Sequence, residues 1–429
     1  MRTLQSLVCG VALVACSSAP QGTARPPVAA GMTRVTCAAD NGGLTLPAGF
    51  CAVVAHDSIG KARHIAVAPN GNVYVALGQP AGGGIVGLRD TNGDGVLDEE
   101  VRFGEAGGTG MAIRGERLYF GANTFVVRYR LGDALRPTSE ADTVVIGFPE
   151  QRAHAAKSLT FDDGANLFVN VGGPSNACQT QDRAAGSPGI DPCPQLERQM
   201  GIWRFDTHRG KQQQQDGRRY ASGIRNAVAL DWNPNDNTLY VVQHGRDQLN
   251  TIAPSHFDER ANAEKPAEEM LRVNDGDTFA HPYCFYDPVQ RRRVLAPEYG
   301  GDGQQVGRCA TYEAPVAVYP AHFAPNDLLF YRGQHFPARY RGGAFIAFHG
   351  SWNRAPLEQR GYQVVFQPFA GGRPTPEYEV FANGFAGRAT VAQPGEAAHR
   401  PVGLAEAPDG TLYIVDSVRG RIWRVFWRG

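Results

Sequence analysis

The sequence predicts an all-β chain folded as a six-bladed β-propeller, and three observations carry that expectation. One pattern recurs six times: an apolar strand, a turn rich in Gly, Asn or Asp, and a second apolar strand. Most of these hairpins are followed by a further alternating strand. A chain of 429 residues with 52 Gly, 29 Pro and few long helical periodicities suits one large all-β domain. A β-sandwich would not repeat one hairpin with a polar residue at the same strand entrance six times.

The clearest unit is 221–245, ASGIRNAVALDWNPNDNTLYVVQHG. Arg225 and Asn226 enter an apolar run, Asn233-Pro234-Asn235-Asp236-Asn237 turns the chain, and a second β-rich run ends in His244-Gly245. A hairpin joins its two open ends, so Arg225, Asn226 and Gly245 are expected to be neighbours. The layout recurs with Arg63-His64 before IAVAPNGNVYVAL, Gly108 to Gly110 before MAIRGERLYFGA, and His154 before AAKSLTFDDGANLFVNVGG. It returns with His322 before FAPNDLLFY and with His399-Arg400 before PVGLAEAPDGTLYIVD. The additional strands expected are GIVGLRD, FVVRYRL, GIWRFDT, QLNTIAP, YQVVFQPF and RIWRVFW.

Taken in order, residues 1–15 read as a signal peptide, too short in their apolar part to span a bilayer. Leu13-Val14-Ala15-Cys16 has the form of a lipobox, with Cys16 as the lipidated first residue; an ordinary signal peptide cut elsewhere is the alternative. Residues 16–36, rich in Ser, Pro, Ala and Gly, form a tether, and 37–429 form the propeller. The strand in LPAGFCAVV at 46–54 is expected to complete the last blade beside RIWRVFW, so the ring has no long open edge. Formal net charge is zero and no basic patch points to a nucleic acid.

Of eight cysteines, Cys9 lies in the signal and Cys16 is the lipid site, leaving six. Six cysteines allow fifteen connectivities. The expected one joins Cys37 to Cys51, Cys178 to Cys193 and Cys284 to Cys309, because each pair brackets one loop. Such pairs imply an oxidising compartment and therefore export.

Asp90, Asn92, Asp94 and Asp98 match positions one, three, five and nine of a calcium loop, with Gly95 at its turn. Val101 stands where an EF-hand has Glu, so the choice is between a structural cation loop and an Asx-rich turn that needs no ion. Four further groups go beyond what a fold requires: His154, Arg225-Asn226, the stretch HGSWNR at 349–354, and Arg400. Arginines gathered at the axis of a propeller are costly to bury without an anion, so an anionic ligand is expected there.

His154 with SLTFDDGANLFVNVGGPSNAC, YASGIRNAVALDWNP, HPYCFYD, the segment from AHFAPNDLLFY to FHGSWNR, and RPVGLAEAPDGTLYIVDSVRGRIWRV together carry a resemblance. The chain resembles the soluble quinoprotein sugar dehydrogenases, and more closely their sorbosone dehydrogenase branch, over about residues 45 to 427. That resemblance implies pyrroloquinoline quinone (PQQ) and Ca²⁺ as cofactors. It implies His154 as general base, Arg225 and Asn226 on the quinone, Arg400 on a cofactor carboxylate, and His322 and Arg354 lining the same pocket. Gly245 and Arg246 would hold the calcium through their backbone carbonyls, and calcium with Arg225 would stabilise charge developing on the cofactor.

The chain departs from the glucose-oxidising enzymes at three places. Ala227-Val228 follows Arg225-Asn226 where those enzymes have Pro-Gln, Val402 stands in place of a second arginine, and Gly173 replaces an aspartate that orients the base. The function expected is an exported, lipid-anchored dehydrogenase that oxidises an aldose or sugar aldehyde and passes electrons to a separate acceptor. A non-catalytic ligand-binding propeller and a calcium-dependent lactonase are the alternatives.

Overall fold

The computed structural model describes residues 35–78 and 84–429; the signal peptide, Cys16 and the tether up to residue 34 lie outside them. Six antiparallel sheets surround one axis. Each begins with a strand whose successor in sequence is its hydrogen-bonded neighbour, which is the hairpin order read from the sequence. Blade one runs Ala62–Val67, Val73–Leu77, Ile85–Arg89 and Glu99–Phe103. Blade two runs from Gly108–Arg114 and blade three from Leu159–Phe161; each gains a short fifth strand in parallel pairing at its outer edge. Blades four and five start at Ala229–Asn233 and Pro325–Phe330.

Blade six is closed by the two ends of the chain. Its strands Pro401–Glu406, Leu412–Asp416 and Ile422–Trp427 are completed by Phe50–His56, paired with Phe50 opposite Trp427 and Val54 opposite Trp423. The propeller with its N-terminal closing strand is as expected.

One expected strand is not there. QLNTIAP forms the short helix Leu249–Ile252, and the third strand of blade four is Glu268–Val273. The apolar positions of the segment, Leu249 and Ile252, lie three apart and are both buried, a helical spacing rather than an alternating one.

Inner strands are buried on both faces and are tied to their neighbours by carboxylates. Asp231 accepts the N–H of Phe330 at 2.9 Å and Asp327 accepts that of Leu404 at 2.7 Å, so blades four, five and six are each linked to the next around the axis. His64 donates from Nε2 to the carbonyl of Asn326 at 2.7 Å and links blade one to blade five. Backbone groups that a narrow axial channel would leave dry are thereby paired. The three disulfides are those expected: Cys37–Cys51, Cys178–Cys193 and Cys284–Cys309.

Candidate active site

A cavity of about 690 Å³ opens at the end of the axis where the inner strands begin. His154, Arg225, Asn226, Gly245, His322 and Arg400 all line it. Six positions scattered over some 250 residues converge because each stands at or before the start of an inner strand, or at the end of its hairpin. The expected neighbours meet directly: Arg225 Nη1 donates to the Gly245 carbonyl at 2.9 Å, and His244 N–H to the Asn226 carbonyl at 3.0 Å.

His154 sits in left-handed backbone at φ 52°, and its Nδ1 lies 2.6 Å from the carbonyl oxygen of Gly173. A carbonyl only accepts, so Nδ1 carries the proton and Nε2 keeps its lone pair. Burial, then the charge of Arg225, pushes the His154 pKa down to about 3, against the pull of the Gly173 bond. The ring is therefore neutral at ordinary pH. The substitution at Gly173 now has a physical reading: the backbone carbonyl orients the ring. A Cβ at 173 would come within 2.9 Å of the Met200 side chain. Gln151 holds the loop from the other side by donating to the carbonyls of Ala153, His154 and Gly172.

Arg225 is buried and donates from all three of its guanidinium nitrogens. Besides Gly245 it donates to the Asn176 backbone and side-chain oxygens at 3.2 and 3.0 Å and to Asp247 at 3.0 Å. Burial alone would raise the Asp247 pKa, but Arg225, His322 and Arg183 outweigh it and hold the carboxyl below its usual range. Glu268 accepts the N–H groups of Gly245 and Ala324 at 2.6 and 2.9 Å, while burial pushes its pKa up to about 8.

The opposite wall is cationic and unpaired. Arg63 donates from Nε to Thr109 Oγ1 at 3.3 Å and makes no ion pair among the described residues. Arg400 donates to the carbonyls of His349 and Gly350 at 3.0 and 2.6 Å and stands over the Tyr362 ring at 5.6 Å; Nη1 makes no hydrogen bond among the described residues. Burial lowers the pKa of both, and no carboxylate offsets it. Lys61 lies on the same wall, also without an ion pair among the described residues. At the mouth stands Trp352, with 52% of its surface exposed.

Some expected residues lie elsewhere. Arg354 does not line the cavity, because its guanidinium is turned to the carbonyls of Ala263, Ala321 and Glu358. The Arg246 side chain pairs with buried Glu298 instead of entering the cavity. The loop with Asp90, Asn92, Asp94 and Asp98 joins two strands of blade one and is remote from this site. Asp90 accepts Gly93 and Gly95 N–H at 2.7 and 2.9 Å, Asn92 accepts Asp94 N–H, and Asp98 accepts Thr91. These bonds shape the turn, and among the described residues no three His, Cys, Asp or Glu are grouped to hold a metal.

Sequence reading missed Lys61, Arg63, His244, Asp247 and Glu268. For Arg63 the signal was present, since Arg63-His64 occupies the same strand-entrance position as the other site residues. Asp247 stands two residues past Gly245 at the end of its hairpin, where no other unit carries a carboxylate, and Glu268 opens the third strand of blade four, separated from the hairpin by a long insertion.

The molecule is a six-bladed propeller whose axial cavity joins a neutral histidine to a wall of cations that have no ion pair among the described residues. The chain belongs to the TrAA12-like family, whose pattern matches residues 44–427. The resemblance to soluble quinoprotein sugar dehydrogenases is borne out at that level. The fold is similar to the holo PQQ domain of pyranose dehydrogenase from Coprinopsis cinerea, with TM-score 0.70, 19% identity, and 89% of this chain and 97% of that one covered. It is similar to a calcium structure of a family AA12 enzyme from Trichoderma reesei, at TM-score 0.73 and 18% identity over 92% and 98% of the chains. The apo soluble aldose sugar dehydrogenase of Escherichia coli gives TM-score 0.60 and 18% identity over 88% and 100%. An uncharacterised protein of Borreliella burgdorferi is 28% identical over 209 residues, 48% of each, so the chain spans about half the length of the relative it matches.

Proposed function

We propose that the protein is a quinoprotein dehydrogenase that oxidises an aldose or a related sugar aldehyde, glucose-like or sorbosone-like, with PQQ and Ca²⁺. The observation that carries the reading is the unpaired cationic wall of Lys61, Arg63 and Arg400. Arg63 and Arg400 are half-buried guanidiniums without a carboxylate partner among the described residues, an arrangement that favours an anion, and a tricarboxylate cofactor supplies one. Gly245 lines the cavity and its carbonyl has two lone pairs, of which Arg225 uses one, so it can offer an oxygen to a hard cation, with the Arg246 carbonyl next to it in the chain as the second donor of the proposal. When bound, the quinone supplies an acceptor for hydride and the calcium a Lewis acid.

The chain supplies the rest. His154 Nε2 accepts the proton of the substrate hydroxyl, while the Gly173 carbonyl fixes the tautomer that leaves this nitrogen free. Arg225 and Asn226 border the same cavity, and Arg225 is held in place by Asp247 and Asn176. The exposed indole of Trp352 offers an apolar face on which a sugar ring can rest. Export through the signal peptide, with a lipid at Cys16, belongs to the same proposal and accords with the three disulfides.

Purified protein reconstituted with Ca²⁺ and PQQ should reduce a redox dye when given an aldose, and not when either cofactor is omitted. Hydrolysis of a lactone without any electron acceptor would instead favour the lactonase. Absence of quinone uptake would leave a binding propeller. Mass spectrometry of the N-terminus tests the anchor: an unmodified start elsewhere than Cys16 overturns it.

A further inference from the structure

Asn176 lies in the insertion between the strands Asn166–Val171 and Gly201–Asp206 of blade three, two residues before the disulfide-bonded Cys178. Its side chain is fully buried. Its amide makes three hydrogen bonds to two segments of another blade. Oδ1 accepts from Arg225 Nη2 at 3.0 Å and from the Asp247 N–H at 2.9 Å, and Nδ2 donates to the Asp247 carbonyl at 2.9 Å. Its backbone carbonyl takes the Arg225 Nε–H at 3.2 Å.

These bonds close a ring, because Asp247 Oδ2 itself accepts from Arg225 Nη2 at 3.0 Å. The result is that the backbone from 245 to 247 is held at both ends. The Gly245 N–H is bound by Glu268, the Gly245 carbonyl by Arg225, and both backbone groups of Asp247 by Asn176. Arg246 lies between, with its side chain anchored on Glu298.

We infer that Asn176 is a positioning residue that sets the 245–247 backbone, and with it the carbonyl oxygens that receive the metal. The inference rests on the reading that Gly245 and Arg246 hold calcium. It differs from a packing role because both backbone groups of Asp247, next to the proposed ligand Arg246, go to one side-chain amide. An alanine there leaves the Asp247 N–H and carbonyl without partners and frees the turn to move.

Calcium titration of the full chain by calorimetry, at saturating PQQ, tests it. Asn176→Ala should weaken calcium binding about 10- to 100-fold, the usual consequence of removing a residue that orients a metal's ligands. Asn176→Ser, which keeps a short hydroxyl able to donate or accept but cannot reach both backbone groups of Asp247 at once, adds no charge and gives a second variant should alanine fail to fold; it too should bind calcium more weakly than wild type. Equal calcium affinity in wild type and the folded variants, with only a lower melting temperature, overturns the inference and leaves the calcium reading intact. No calcium uptake by the wild-type protein overturns the reading and the inference together.

Discussion

At the scale of single residues, the site separates groups that must be neutral from groups that must stay charged. His154 is neutral because burial and Arg225 both oppose its proton. Protonation sets in only as pH falls toward about 3, so the rate of quinone reduction should show no acid limb from this residue near about pH 6.5, where an unshifted histidine titrates. His154→Gln should keep quinone uptake while reduction by excess sugar slows about 10²- to 10⁴-fold; a wild-type rate in stopped flow removes His154 from the mechanism. Arg400→Ala should weaken quinone binding by about 2 to 5 kcal/mol, and an unchanged titration would return Arg400 to a structural role. Lys157 is fully buried, bonded among the described residues only to the Ala155 carbonyl at 2.8 Å and near the Phe148 ring, and burial lowers its pKa to about 7. A depressed amine contributes stability that is present above its unfolded pKa of about 10.4 and is lost as pH falls through about 7. Lys157→Met should therefore melt higher than wild type at pH 6, with the gap closing toward pH 10; equal melting curves at both would refute the assignment. His154, Arg225 and Arg400 were legible in the sequence because they occupy a repeated register. Asn176, Asp247 and Glu268 were not: Asn176 lies in an insertion, Asp247 just past the hairpin, and Glu268 at the start of a strand reached only after a second insertion.

The same division holds for whole elements. Hairpins were readable because alternation, turn residues and strand length agree locally, as at 229–243, where Asn233 to Asn237 turn between two apolar runs. QLNTIAP failed because seven residues with two apolar anchors fit either period, and tertiary packing of Leu249 and Ile252 decided for the helix. The insertions of blades three and four carry no repeat, yet Asn176 in the first of them braces Arg225, and two disulfides tie them down. Cys178–Cys193 closes the loop behind Asn176, and Cys193 N–H is further held by Tyr283 Oη at 2.9 Å. Replacing both Cys178 and Cys193 by serine frees a loop of about 15 residues. That should cost about 3 kcal/mol in the chain-entropy model. Because the loop carries Asn176, quinone and calcium uptake should weaken together, whereas opening Cys37–Cys51, far from the cavity, should reduce stability alone. Uptake unchanged in the Cys178→Ser, Cys193→Ser protein would show that the loop holds its shape without the bond.

At the scale of the whole molecule, the cationic wall straddles the seam where the ring is closed. Lys61 and Arg63 come from blade one and Arg400 enters blade six, and the two inner strands approach so closely that a Cβ at Gly403 would stand 2.6 Å from the Arg63 carbonyl. What keeps blade six intact is the strand Phe50–His56, and what seats that strand is Phe50. Its ring packs edge-on against Phe336 at 4.8 Å, Phe381 at 5.0 Å and Trp427 at 4.8 Å, joining blades five and six. Without that strand the row Ile422–Trp427 becomes an open edge of the kind that pairs with other chains. Phe50→Ala removes the anchor without touching the site and should cost about 3 to 5 kcal/mol. A ligand that binds only the closed ring then stabilises it by mass action, so saturating PQQ and Ca²⁺ should raise the melting temperature of wild type and variant alike. If closure also sets the spacing of Arg63 and Arg400, the variant should bind quinone more weakly even at temperatures where it is fully folded. Quinone titrations of the two proteins well below their melting points separate the effects: equal affinity assigns Phe50 to stability alone, and a weaker variant ties the geometry of the cationic wall to the closing strand.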